Sequence, residues 1–162
     1  MKKTLTACAL LLLLLLTACG QTASLQETIP TLSLTAGSGR AAPVSTFGYS
    51  WTAGRDSLVV DTVHPLEAIE NLPGVSVTAG TPISMYFSRL PGIVTVTCWP
   101  ASDAETPSPG PGETVEASFA NNLFTFIPPD SEENLVFLVE GQWNSRDDAK
   151  GTVCYAFVVE QK

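Results

Sequence analysis

Histidine occurs once, at position 64, so a Ser/His/Asp or Cys/His mechanism would have to use His64. Asp61, just upstream, could orient it. The run Ala36-Gly37-Ser38-Gly39-Arg40 lacks the Gly-x-Ser-x-Gly spacing of a nucleophile elbow, and its glycines suit a turn. The simpler expectation is a loop histidine whose ring packs under a turn and bonds to Asp61 or a backbone carbonyl. Carboxylates gather at Asp130/Glu132/Glu133 and at Asp147/Asp148. A calcium ion wants several oxygens, but neither group follows the calcium-loop pattern, so solvated turns are expected. Trp51, Trp99 and Trp143 could form a sugar-stacking platform. Each also sits among apolar neighbours of the same strand parity, which places them in a core. No catalytic residue, metal site or cofactor is expected.

The cysteines carry more. Lys2-Lys3 precede an apolar run that becomes seven consecutive leucines over residues 10–16, followed by Thr17-Ala18-Cys19-Gly20. A basic start, a short apolar stretch and small residues make a secretory signal peptide, too short for a comfortable membrane span. Leu16-Thr17-Ala18-Cys19 resembles the bacterial lipobox. The resemblance implies that the Cys19 thiol is alkylated with a diacylglycerol and that a dedicated peptidase cuts between Ala18 and Cys19. Two acyl chains suffice for stable attachment, at about 0.8 kcal/mol per buried CH2. Cys8 leaves with the leader. Cys98 and Cys154 then remain in an exported compartment where disulfides persist, so a Cys98–Cys154 bond is expected, with two buried free thiols as the other possibility.

Loss of Lys2 and Lys3 takes the net charge from −8 to −10 while every carboxylate stays. Such a chain repels nucleic acid and anionic headgroups, so neither is an expected partner. Attachment falls to the acyl chains. The remaining length suits one domain with its own core.

These residues have to be positioned by strands. Residues 21–29 are polar and aperiodic, a tether. Alternation marks strands at 31–35, at Phe47/Tyr49/Trp51, at 83–87, and at Val153/Tyr155/Phe157/Val159. Residues 58–60, 75–78, 115–119, 123–127 and 135–143 add others. Residues 93–99 are almost wholly β-branched or aromatic. Pro65 with Leu66, Ile69 and Leu72 suggests one helical turn. Asn121-Asn122 suits a tight hairpin turn because asparagine tolerates positive φ. Residues 100–113 hold four prolines and no large apolar side chain, which reads as a long mobile loop. The direction of Cys98 stays open, because either Val94/Val96/Cys98 or Trp99 could face inward.

The pattern predicts an all-β fold, an immunoglobulin-like antiparallel β-sandwich of about eight short strands preceded by a signal-peptide helix, with an open barrel as the alternative. The domains expected are a leader at 1–18, a flexible tether at 19–30 and the sandwich at 31–162. Gly48-Tyr49-Ser50-Trp51, Asp61 with His64-Pro65-Leu66, Val96-Thr97-Cys98-Trp99, Trp143, Gly151 and Cys154-Tyr155-Ala156-Phe157 together resemble small secreted lipoproteins of Gram-positive anaerobes. That resemblance covers most of residues 46–159. It implies the compartment and fold, and no catalytic residues. The expected role is a non-catalytic binding or structural module on the extracytoplasmic face of the cell membrane. Its partner would be an envelope protein or wall polymer. The alternative is an enzyme-inhibiting or sensory accessory lipoprotein using the 100–113 loop.

Overall fold

A computed structural model describes residues 24–37, 39–69, 72–144 and 149–162. The leader, the lipobox with Ala18 and Cys19, Ser38 and the Asp147/Asp148 pair lie outside the described residues. In chain order the strands are β1 (Leu32–Ala36), β2 (Arg40–Ala42), β3 (Ser45–Ala53) and β4 (Asp56–Val60). One helical turn, α1 (Pro65–Ala68), precedes β5 (Val75–Val77), β6 (Ile83–Phe87) and β7 (Ile93–Pro100). The rest are β8 (Glu113–Val115), β9 (Ala117–Ala120), β10 (Leu123–Phe126), β11 (Leu135–Trp143) and β12 (Ala149–Gln161).

These strands form two sheets. One has the order β2-β1-β6-β10-β9 and the other β4-β3-β12-β11-β7-β8, with β5 added in parallel beside the end of β12. The inner faces pack as a sandwich. Leu32, Leu34, Ile83, Met85 and Phe126 of the smaller sheet meet Trp51, Val96, Phe137, Val139, Tyr155 and Phe157 of the larger. The all-β sandwich predicted from alternation is therefore the fold. Among the described residues it divides into twelve strands rather than about eight: β2 has no alternation to mark it, and the run expected at 115–119 splits into β8 and β9, which pair in different sheets. Asn121 and Asn122 both adopt positive φ (53° and 62°) and join β9 to β10 as the hairpin turn expected of them.

β12 is the centre of the larger sheet. Val153 to Val159 are all buried, so both faces of this stretch are covered and its sequence reads as a continuous apolar run. Against β3 its register slips between Cys154 and Tyr155, whose partners are Gly48 and Thr46, so Phe47 is the extra residue of a β-bulge. Gly151 lies in register between Trp51 and Trp143. Its φ is 150°, and a Cβ there would sit 2.0 Å from the Ser50 carbonyl oxygen. Only glycine fits, and without a side chain in the way the two rings meet edge to face, centroids 5.6 Å apart.

Two expectations about connecting segments need correction. Residues 24–30 are docked, not a free tether. Leu25–Thr28 forms a 3-10 turn, and Leu25 and Ile29 pack against the core. Apolar side chains spaced four apart on a short turn gain from burial what local periodicity did not reveal. The 100–113 segment is likewise built rather than mobile. Ala101–Glu105 is a second 3-10 turn, the Ala101 N–H donates to the Asn134 carbonyl, and the Ser102 hydroxyl donates to Glu133.

Candidate functional site

The three indoles organise the loops. Trp51, Trp99 and Trp143 are all buried, as the core expectation had it, and a buried indole N–H requires an acceptor. Trp51 Nε1 donates to Thr28 Oγ1 (3.0 Å), which fastens the N-terminal turn. Trp143 Nε1 donates to the Arg89 carbonyl (3.1 Å) in the β6–β7 connection. Trp99 Nε1 donates to the Gly110 carbonyl (2.8 Å), which straps the proline-rich segment across the outer face of the larger sheet. Gly112, at φ +78°, comes so close that a Cβ would lie 2.4 Å from the Trp99 ring.

His64 sits beside this strap. It is the N-cap of α1, where Nδ1 accepts the Leu66 N–H at 3.3 Å and Pro65 opens the turn. Its ring meets Trp99 edge to face at 5.3 Å. The histidine does pack under a turn, but it accepts from a backbone N–H in place of bonding Asp61 or a carbonyl; Asp61 is exposed on the approach to α1. Leu66, Trp99 and Val136 form a small second core under α1.

Two clefts flank the strap. One, of about 290 Å³, lies between α1 and the strap and is lined by His64, Glu67, Asp103, Thr106 and Pro107 among others. The other, of about 380 Å³, runs past Trp99, Glu113, Asp130 and Leu135. Both are at the small end of the range for ligand sites. Carboxylates line each of them and neither lining includes Lys or Arg, so they suit a neutral or cationic group. Of the acidic cluster, Glu133 is engaged by Ser102 and by its own N–H to Ser131 Oγ. Among the described residues, no three His, Cys, Asp or Glu side chains gather in a metal-binding arrangement.

The expected Cys98–Cys154 disulfide is absent: both cysteines are buried and free. β7 and β12 lie on opposite sides of β11, with Cys98 level with Phe137 and Cys154 level with Glu140. Two strand spacings and that offset along β11 separate the Cα atoms by roughly 14 Å, about twice what a disulfide spans. Their side chains also diverge. Cys98 belongs to the core, whereas Cys154 alternates with the inward Val153 and Tyr155 and points outward. Burial, reinforced by Glu113, pushes the Cys98 thiol up to about 11. Burial, reinforced by Glu140, does the same to Cys154. Both stay protonated at neutral pH and are poor nucleophiles there. Tyr155 is also pushed upward by burial, and its hydroxyl donates to the Pro30 carbonyl at 2.7 Å.

The indole clamps escaped sequence reasoning because the acceptors are backbone carbonyls and a threonine hydroxyl with no local signature. Gly110 and Gly112 within a proline-rich run were the one available hint that a backbone approaches a ring closely. In comparison with known proteins, no family model matches the chain, and neither does any curated protein or solved structure.

Proposed function

We propose that the chain is a lipoprotein held on the extracytoplasmic face of a membrane through Cys19, and that its sandwich serves there as a non-catalytic binding or structural module. The observation that carries this is the order of Lys2-Lys3, the leucine run and Leu16-Thr17-Ala18-Cys19. The docked N-terminal turn is in keeping with it. Ser24 follows Cys19 by five positions, which span at most about 18 Å, so the sandwich would ride close to the bilayer. The strapped clefts, small and lined by carboxylates, offer neutral or basic groups of an envelope protein or wall polymer a place to bind. Cys19→Ser in the full-length chain tests the anchor. The variant is expected to lose incorporation of labelled fatty acid and to leave the detergent phase. Unchanged size, labelling and partitioning would contradict it.

The accessory reading, in which the 100–113 segment contacts and inhibits or senses another protein, is favoured by one observation. Thr106, Pro107 and Ser108 are exposed on a segment fastened on both sides, at Ala101 and at Gly110. A pre-ordered exposed segment loses less entropy on binding than a mobile one. Replacing residues 106–108 with glycines should then abolish capture of the partner while leaving the anchor untouched.

A further inference from the structure

The outermost strand of the larger sheet is β4, which pairs with β3 on one side and has no strand beyond it among the described residues. The hairpin turns through Gly54 (φ +62°) and Arg55, so Ala53 and Asp56 are its closing pair. Alternation of hydrogen bonding then directs the N–H and C=O groups of Ser57 and Val59 toward the free side. Natural sheets blunt such an edge with lysine, proline or a bulge. Asp56-Ser57-Leu58-Val59-Val60 has none of these; the turn Leu25–Thr28 lies near it but makes no backbone hydrogen bond to it, and Val59 is 63% and Val60 41% exposed. Opposite charges bracket the strand, with exposed Arg55 before it and exposed Asp61 after it.

We propose that β4 pairs antiparallel with β4 of a second copy of this chain, about a two-fold axis at Leu58. In that register Ser57 meets Val59 of the other copy with backbone groups matched, and Leu58 meets Leu58 on the core side. Arg55 falls opposite Asp61, twice over, because an isologous contact repeats every pair. Registers centred on Ser57 or Val59 also match backbone groups, but only the Leu58 register sets the arginine against the aspartate. Exposed charges of this kind choose register more than they add strength. The contact joins two seven-stranded sheets into one and covers the unblunted edge. It depends on the groups of β4 alone and holds whether or not Cys19 is acylated.

The test is cysteine cross-linking of the full-length chain in the cells that export it. Leu58→Cys should give a covalent dimer under mild oxidation, because directly opposed residues at a non-hydrogen-bonded position hold their Cβ atoms within disulfide reach. Ser57→Cys with Val59→Cys, both at exposed positions, repeats the test without touching Leu58. Arg55→Glu added to either should lower the dimer yield about ten-fold, as two opposed pairs turn repulsive. Adding Asp61→Arg should restore it. A yield no greater than that of the unsubstituted chain, a yield indifferent to Arg55→Glu, or a cross-link to a different protein in place of the dimer overturns the proposal.

Discussion

At the scale of single residues, the fold depends on which polar atoms are buried and what they bond. Protein unfolded without reductant should expose two alkylatable thiols, Cys98 and Cys154, besides any at Cys19. The folded chain should protect both at neutral pH. Mass-tagging with a maleimide reads both numbers. These thiols also predict a pH response. They ionise near 9.0 in the unfolded chain and near 11 in the fold, so between those values the unfolded state sheds protons first. Their contribution is therefore intact below about pH 9 and is lost as the pH rises toward 11. Denaturation at pH 8 and pH 10.5 should show a smaller decline for Cys98→Ala/Cys154→Ala than for the parent chain. An equal decline would contradict the burial of these thiols. Trp99→Phe keeps a ring in place and removes only the donor to Gly110. It should cost about 1 kcal/mol and quicken amide exchange in residues 101–112. Exchange unchanged there would mean the strap is held by other means.

At the scale of elements, the proline-rich strap is where sequence and structure part. Lacking apolar side chains of its own, it looks dispensable, since loop-closure entropy varies slowly with length. In the fold it covers Trp99, which is only 5% exposed. Replacing residues 101–111 with a Gly/Ser linker would uncover roughly 100 Å² of indole, worth about 2–3 kcal/mol. The thermal midpoint should fall by about 5–10 °C; a change within 2 °C would show that the strap is not a structural part. Elements with one buried face were legible. β1 shows Leu32 and Leu34 inward and Ser33 outward, and Asn121-Asn122 announces its turn. β7 was legible as a strand but not in the direction of its side chains, because Cys98 packs in the main core while its neighbour Trp99 packs under α1. A strand buried on both faces carries no alternation to read. The mistaken disulfide came from elimination, Cys98 and Cys154 being the two thiols left after the leader and Cys19; the strand order that sets them about 14 Å apart carries no local signal.

At the scale of the molecule, a sandwich has two open edges in each sheet unless something covers them. Here the crossing from β8 to β9 closes one side, where each is the last strand of its own sheet. On the other, the docked turn Leu25–Thr28 sits near β4 without a backbone hydrogen bond to it, so the outward N–H and C=O groups of Ser57 and Val59 stay open. The same turn, held by Trp51 through Thr28, is the part of the domain nearest in sequence to the proposed anchor at Cys19. Strand periodicity made the fold class legible in the sequence, whereas the compartment is a proposal that rests on Lys2-Lys3, the leucine run and Leu16-Thr17-Ala18-Cys19. The clefts depend on contacts between distant segments and had no local signal. The anchor is best checked by intact mass and N-terminal peptide mass spectrometry of the chain purified from membranes in detergent. The expected result is a chain beginning at Cys19 with a diacylglycerol thioether on its sulfur. A chain that keeps residues 1–18, or one that begins elsewhere with an unmodified Cys19, would contradict the account.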